Sequence, residues 1–222
     1  HPLGSGVNDE VRAIAVSGSD VYVGGYFNRV GEGSPAKKIA QWDGNYWHAL
    51  GNGVNGIVAS IAVSGLDLYV GGWFTEAGGS PANNIARWND NSNAWYALGT
   101  GMNNMVRTIA VSGTDVYVGG DFTQAGGSPA NYIARWDGSS WHPLGTGVNE
   151  RVYAIGVSGT DLYVGGEFTE AGGSPASYIA RWREQVGIDA NPEVITGILH
   201  ASPNPTASGV ELSFRNTGLS PL

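Results

Sequence analysis

The sequence predicts an all-β protein built from four copies of one repeat of about 47 residues. A first marker, Leu-Gly-x-Gly-(Val/Met)-Asn, begins at Leu3, Leu50, Leu98 and Leu144. A second marker, Tyr-Val-Gly-Gly, begins at Tyr22, Tyr69, Tyr117 and Tyr163. Both markers recur at steps of 47, 48 and 46 residues, so whole units are duplicated. A period of roughly 40–50 residues with four strand-like runs per unit is typical of β-propeller blades.

The third unit shows the four strands of one blade. We expect strands at residues 106–112, 116–122, 132–136 and 141–144. The first two are apolar at nearly every position, which is typical of strands buried on both faces of a sheet. Turn-forming Gly, Asp and Ser separate the first strand from the second and the third from the fourth. A long Gly-rich connection joins the second strand to the third.

The sequence alone does not decide whether the four blades close into a ring. The fourth unit supplies three strands, at residues 152–158, 161–168 and 178–182, and the pattern stops after Arg183. The segment His1-Pro2-Leu3 matches a fourth strand without its blade, so the two ends could pair and close four blades. We favour an arc of a larger ring, because the Trp that precedes this position in the other units is missing.

Composition excludes several classes of protein. The formal net charge is −8, and such an acidic chain repels the phosphate backbone of nucleic acids. No apolar run approaches the roughly 18 residues of a membrane span. Cysteine is absent, which excludes disulfides and thiolate metal sites. We therefore expect no nucleic-acid partner, no membrane span and no cofactor.

The repeated acidic and histidine side chains do not predict a metal site. One aspartate per unit closes the first turn (Asp20, Asp67, Asp115, Asp161), and no second carboxylate stands near it in sequence. Calcium needs six or more oxygen ligands, so we interpret these residues as turn caps. His1, His48 and His142 occupy equivalent positions on outer strands, with Tyr96 in the remaining copy, and lie at least one blade apart, too far from one another to share a metal.

Residues 1–183 resemble the kelch and galactose-oxidase-like propeller families. Those repeats carry an apolar strand ending in Gly-Gly and then a Trp on a later strand. The matching residues are Gly24-Gly25 with Trp42 and Trp47, Gly71-Gly72 with Trp88 and Trp95, Gly119-Gly120 with Trp136 and Trp141, and Gly165-Gly166 with Trp182. Copper-radical oxidation of the galactose-oxidase kind needs a cysteine cross-linked to tyrosine, and this chain has no cysteine.

The tail has a different character. Residues 184–193 are polar and predict a linker. Residues 194–222 combine an apolar lead-in, a Pro-Asn-Pro turn and an alternating strand, and they resemble the start of the C-terminal sorting domain of type IX secretion substrates. That resemblance implies a truncated Ig-like β-sandwich and an extracellular or cell-surface location in certain bacteria. The alternative is an ordinary linker followed by one strand.

Comparison of the four copies predicts a binding face. In a propeller the loops entering the first strand and leaving the second emerge on one side, and here those loops vary between copies. Aromatic and charged groups on loops of a rigid ring suit sugars or a protein loop. The alternative is that these exposed positions simply tolerate change. The candidate binding residues are Arg12, Tyr26, Trp73, Arg107, Asp121, Tyr153 and Glu167.

Three functions follow as hypotheses. The first is a secreted or cell-surface, non-catalytic propeller that binds carbohydrate or an extracellular protein through the variable face. The second is an extracellular polysaccharide hydrolase or lyase, with Asp121 and Glu167 as acid and base on adjacent blades. The third is a structural surface module without a ligand. We favour the first and expect no enzymatic activity.

Overall fold

The computed structural model describes residues 1–183 and the backbone of residues 200–202. The first blade comprises β1 (Val11–Ser17), β2 (Asp20–Gly25), β3 (Arg29–Val30), β4 (Ser34–Pro35), β5 (Ile39–Trp42) and β6 (Trp47–Ala49). The second comprises β7 (Ile57–Ser64), β8 (Asp67–Trp73), β9 (Glu76–Ala77), β10 (Ser80–Pro81), β11 (Ile85–Asn89) and β12 (Ala94–Ala97).

The third and fourth blades repeat this order. The third comprises β13 (Val106–Ser112), β14 (Asp115–Gly120), β15 (Gln124–Ala125), β16 (Ser128–Pro129), β17 (Ile133–Trp136) and β18 (Trp141–Pro143). The fourth comprises β19 (Val152–Ser158), β20 (Asp161–Gly166), β21 (Glu170–Ala171), β22 (Ser174–Pro175), β23 (Ile179–Arg183) and β24 (His200–Ser202).

Each blade is a four-stranded antiparallel sheet, which confirms the predicted all-β fold of propeller blades. In the first blade the strand order is β1-β2-β5-β6, and the other three blades have the same order. The Gly-rich connection that sequence alone shows as a loop holds a two-stranded hairpin, such as β15 with β16. Neighbouring blades pack through their first strands: β1 against β7, β7 against β13 and β13 against β19.

The core lies between the blades. Tyr22 and Ile39 of the first blade join Val58 and Val70 of the second in one buried cluster. Equivalent clusters fill the junction of the second and third blades and that of the third and fourth. Each internal sheet therefore buries both faces, as the apolar runs of its first two strands predict.

The Gly-Gly doublets permit this close packing. A Cβ on the first glycine would overlap a valine side chain of the next blade; the pairs are Gly24 with Val58, Gly71 with Val106 and Gly119 with Val152. A Cβ on the second glycine would overlap the main chain at the start of the first strand of its own blade. At Gly120, for example, it would overlap the carbonyl oxygen of Met105. The doublet thus brings the second strand into contact with two neighbours at once.

Tryptophans join the outer parts of successive blades. The rings of Trp88 and Trp95 lie 5.4 Å apart, and the other two complete pairs lie 5.4 and 5.2 Å apart. The indole N–H of Trp95 donates to the carbonyl of Leu50, just after the outer strand of the preceding blade, at 2.9 Å. The corresponding bond in the third blade runs from Trp141 to Leu98 at 2.8 Å.

The outer strand of the fourth blade differs from the sequence-based expectation. That unit was expected to lack a fourth strand, whereas β24 pairs antiparallel with β23, with His200 opposite Arg183. The expectation is wrong because β24 begins 17 residues after the end of β23. It also lacks the Trp that marks the other outer strands. The linker at 184–193 and most of the sorting segment at 194–222 lie outside the described residues, so those boundaries stay predictions.

Aspartates stabilise the turns between third and fourth strands. Asp43 accepts hydrogen bonds from the backbone N–H groups of Tyr46 (2.7 Å) and Asn45 (2.8 Å), and His48 Nε2 lies 2.7 Å away. These bonds, led by that of Tyr46, lower the pKa of Asp43 to about 2. In the third blade Asp137 and His142 repeat the arrangement at 2.6 Å, and the pKa of Asp137 is lowered for the same reasons.

Replacing the first glycine of an internal doublet should loosen the blade junction. Gly119→Ala forces a methyl group into Val152, and overpacking of this kind costs about 1–3 kcal/mol in the free energy of unfolding. Gly156→Ala is the matched control, because a Cβ there meets no atom within 4 Å. Urea unfolding of both variants is the measurement. Equal stability of the two would contradict the packing argument.

Acid should destabilise the protein through Asp43. A carboxyl whose folded-state pKa is depressed contributes stability that is fully present above about pH 4, near its unfolded pKa. That contribution is lost as the pH falls through about 2. Asp43→Asn should therefore lose less stability than wild type between pH 4 and pH 2 in urea titrations. Glu32→Gln, at an exposed carboxyl in the β3–β4 segment, should follow wild type; a wild-type response in Asp43→Asn would disprove the role of Asp43.

Candidate binding face

The candidate face is formed by the loops that enter each first strand and the hairpins that follow each second strand. One asparagine per blade (Asn8, Asn55, Asn103, Asn149) fastens the two together. In the third blade Asn103 Oδ1 accepts from the backbone N–H groups of Thr123 (2.9 Å) and Gln124 (3.0 Å). Because each loop is tied to a hairpin, the face is held in one shape before any ligand arrives.

A strained residue stands before the third strand of every blade. Lys38, Asn84, Tyr132 and Tyr178 all have left-handed backbones, with φ between 63° and 67°. Non-glycine residues adopt this conformation uncommonly, and Asn more readily than Lys or Tyr. Two backbone hydrogen bonds hold it in the second blade: Asn84 N–H donates to the Phe74 carbonyl, and Gly72 N–H donates to the Asn84 carbonyl. Strain that the surrounding structure maintains is typical of functional sites.

A hollow on this face lies between the second and third blades. We call it the Trp73 hollow; its volume is about 430 Å³, and its lining includes Trp73, Thr75, Asn83, Asn84, Thr100 and Gln124. Trp73 ends β8 and exposes 64% of its surface. The side chains of Thr100 and Gln124 are exposed beside it. An exposed indole among hydroxyl and amide groups is therefore available to a ligand.

Two asparagines hold the hollow together. Asn84 Nδ2 donates to the Met102 carbonyl at 2.8 Å, and Asn83 Nδ2 donates to the Thr100 carbonyl at 2.9 Å. Both acceptors belong to the next blade, so these amides fix the distance between its two walls. The buried Oδ1 of Asn84 accepts no hydrogen bond from the described residues.

Four of the predicted site residues meet at the junction of the third and fourth blades. Arg107 holds Asp121 through two hydrogen bonds, of 2.6 and 2.8 Å, and its guanidinium lies 5.2 Å from the ring centre of Tyr153. Arg151 lies 3.6 Å from Asp121 and 3.5 Å from Glu167. We call these five residues the Arg107 cluster; sequence comparison alone did not select Arg151.

Hydrogen bonds within the Arg107 cluster raise the pKa values of Arg107 and Tyr153. The hydrogen bond to Asp121 is the main cause that raises the pKa of Arg107. The hydrogen bond to Glu167, followed by burial, raises the pKa of Tyr153. Both oxygens of Asp121 accept a hydrogen bond from Arg107.

The last two predicted site residues lie apart, on the first blade. The guanidinium of Arg12 stacks 5.0 Å from the ring centre of Tyr26 and forms an ion pair with Glu10 at 3.1 Å. The structure thus divides the seven predicted residues into this pair, the isolated Trp73 and the Arg107 cluster. Their role in binding stays a prediction.

Among residues 1–183 no group of three or more His, Asp or Glu side chains is placed to hold a metal ion. His48 and His142 each pair with the aspartate of their own turn. No helix able to cross a membrane occurs in the part of the chain that the structure describes.

Comparison with known proteins supports the fold and leaves the ligand open. A family model described as "Domain of unknown function (DUF5122) beta-propeller" matches residues 68–93 and 116–136. No curated protein matches the chain. The computationally designed Ika4 protein is 14% identical with a TM-score of 0.54, over 81% of this chain and 94% of Ika4. Likeness at that identity shows the fold alone.

A second designed protein also matches. Ika8 is 14% identical with a TM-score of 0.49, over 78% of this chain, and the chain spans 58% of Ika8. The repeated four-stranded sheets and the family match over residues 68–93 and 116–136 support a β-propeller fold.

Removing the charge of Glu167 should make Tyr153 easier to ionise. In Glu167→Gln the phenol loses its anionic acceptor, so the pKa of Tyr153 should fall toward the ordinary value of about 10. NMR titration of ring-labelled tyrosine measures this pKa. Glu150→Gln changes a neighbouring carboxyl and should leave the titration as in wild type. An unchanged Tyr153 pKa in Glu167→Gln would contradict the described contact.

Proposed function

We propose that the chain is a non-catalytic binding module that recognises carbohydrate through the Trp73 hollow. The observation that carries this proposal is the exposed indole of Trp73 on a face whose loops are already fixed. A large aromatic surface left in water has a cost that a binding partner removes.

The chemistry of the hollow suits a sugar better than a purely apolar ligand. An indole offers a flat, polarisable surface for the C–H face of a sugar ring. The exposed Thr100 hydroxyl and Gln124 amide can exchange hydrogen bonds with sugar hydroxyl groups. Because Asn83 and Asn84 tie the two walls together, little further ordering is needed on binding, and such preorganisation favours affinity.

The Arg107 cluster favours binding over hydrolysis. A glycosidase needs one carboxyl that gives up a proton and a second that acts as base or nucleophile. Asp121 is held by Arg107 on both oxygens, and Arg151 lies close to both Asp121 and Glu167. Both carboxylates are thus already engaged in ion pairs within the protein, which supports a structural role for them.

The proposal also includes membership of the kelch-like propellers and an extracellular or cell-surface location. Kelch-like identity is supported by the Gly-Gly doublets and the paired tryptophans. An extracellular or cell-surface location is supported by the resemblance of residues 194–222 to type IX sorting domains. Polysaccharides of the cell exterior are then the class of ligand that such a module would meet.

Binding should depend on Trp73. A glycan-array screen identifies a ligand, and calorimetry then measures its affinity for wild type and for Trp73→Ala. We expect at least a tenfold loss of affinity, since truncation of an aromatic anchor at a hot spot typically costs about 2 kcal/mol or more and tenfold corresponds to about 1.4 kcal/mol. Tyr46→Ala is the control, because Tyr46 is as accessible as Trp73 (71% against 64% exposed) but lies in a turn at the opposite end of its blade.

Several outcomes would count against the proposal. Retained affinity in Trp73→Ala would move the site away from the hollow. If the wild-type protein binds no glycan on the array, the carbohydrate proposal is wrong and a protein partner is favoured. Release of reducing sugar by wild type that is lost in Glu167→Gln would establish the enzymatic alternative.

A further inference from the structure

The lining of the Trp73 hollow carries no ionisable side chain. Its polar groups are the hydroxyls of Thr75 and Thr100 and the side-chain amides of asparagine and glutamine, and its apolar surface is the indole of Trp73. The protein as a whole has a formal net charge of −8. The hollow is therefore a neutral region of an acidic molecule, and a ligand held there finds no cation to pair with.

The corresponding positions between the first and second blades are charged. Asn83 and Asn84 correspond to Lys37 and Lys38, the only two lysines of the sequence. The glutamine that the third blade contributes to the hollow corresponds to Glu76 of the second blade. Lys37 and Glu76 are both exposed. The same framework thus accepts charged groups at these positions, so the neutral lining belongs to the Trp73 hollow and not to the fold.

The corresponding positions between the third and fourth blades also carry charge. Asp121 stands in the position of Trp73, and Glu170 stands in that of Gln124. Arg107 holds Asp121 by two hydrogen bonds, so this junction presents an ion pair where the hollow presents an indole. Of the three junctions in the described part of the chain, only the middle one has neutral side chains at all of these positions.

The amides of the hollow suit a ligand that can donate hydrogen bonds. Asn83 and Asn84 each direct an amide N–H at a carbonyl of the next blade, at 2.9 and 2.8 Å. The side chain of Asn83 is exposed, so its amide oxygen is left to accept from a ligand. A sugar hydroxyl can donate to such an oxygen, whereas a carboxylate or sulfate group only accepts.

A charged sugar would bind less favourably in this hollow than a neutral one. A carboxylate that enters the hollow gives up part of its hydration, and only a partner of opposite charge compensates for that loss. The net charge of −8 adds a repulsion that acts before contact is made. A neutral sugar meets neither cost, because its hydroxyl groups exchange water for the threonine and amide groups of the lining.

We propose that the Trp73 hollow selects neutral sugars and discriminates against sugars that carry carboxylate or sulfate groups. This inference rests on the carbohydrate binding proposed above and defines the class of ligand. The indole supplies the surface on which the sugar ring stacks, and the uncharged lining supplies the selectivity. Neutral polysaccharides are then the ligands of the hollow, and polymers of uronic acids are not.

The test is calorimetry of the full-length protein with paired oligosaccharides of equal length and linkage. Oligosaccharides of mannose, glucose and galactose are each compared with those of the matching uronic acid, in which a carboxylate replaces the hydroxymethyl group. We expect a neutral member to bind at least about tenfold more tightly than its uronate partner. Its affinity should also be nearly independent of sodium chloride concentration, because no ion pair is screened.

The outcomes separate this inference from the proposed function. A uronate that binds as tightly as its neutral partner, or more tightly, would overturn the selectivity and leave carbohydrate binding standing. Binding of no member of any pair would overturn both.

A variant tests whether the neutral lining causes the selectivity. Asn83→Lys gives the hollow the side chain that the first blade carries at Lys37, and a new surface ion pair should shift the ratio of uronate to neutral affinity about fivefold toward the uronate. Asn131→Lys is the matched control at the next junction, because Asn131 Nδ2 donates to the Thr146 carbonyl at 3.0 Å, as Asn83 does to Thr100. It should keep the wild-type ratio.

Circular dichroism checks that both variants are folded. An Asn83→Lys protein with the wild-type ratio, or an Asn131→Lys protein with the same shift, would overturn the role assigned to the lining. The comparison of paired sugars on the wild-type protein remains decisive even if the Asn83→Lys variant does not fold.

Discussion

The fold depends on the approach of one sheet to the next at a position that has no side chain. Gly24, Gly71 and Gly119 let a valine of the following blade rest on the main chain, and any larger residue would hold the blades apart. This approach places the tyrosine and isoleucine of one blade in the core of its neighbour. Since sheets in contact bury apolar area on both faces, the repeated junctions supply most of the hydrophobic stabilisation.

The same junctions position the candidate site. The Trp73 hollow lies where one blade junction reaches the candidate face. There Asn83 and Asn84 of one blade donate hydrogen bonds to carbonyl groups of the next. The Arg107 cluster lies where the following junction reaches the same face. There Arg107 and Asp121 contact Arg151, Tyr153 and Glu167. Specialised groups therefore occur where two framework units meet, and the packing that stabilises the ring also fixes the geometry of its face.

The sequence predicts the repeating parts of this structure well, because they depend on local pattern. The first strand of the third blade was expected at residues 106–112, where β13 lies. Contacts made across blades were harder to predict: the bridging position of Arg151 depends on two neighbouring carboxylates. The left-handed backbone of Tyr132 gives no signal in its residue type. The strand β24 was missed because its partner β23 is 17 residues earlier and it lacks the usual Trp.

We propose that a rigid blade junction presents Trp73 and its amide neighbours to a sugar. NMR titration of the labelled protein with a glycan from the array tests it most directly. We predict that the indole N–H of Trp73 and the side-chain amides of Asn84 and Gln124 shift with one common affinity, while the signals of Tyr46 stay unchanged. Shifts centred on Tyr46, or on the Arg107 cluster without Trp73, would contradict the claim.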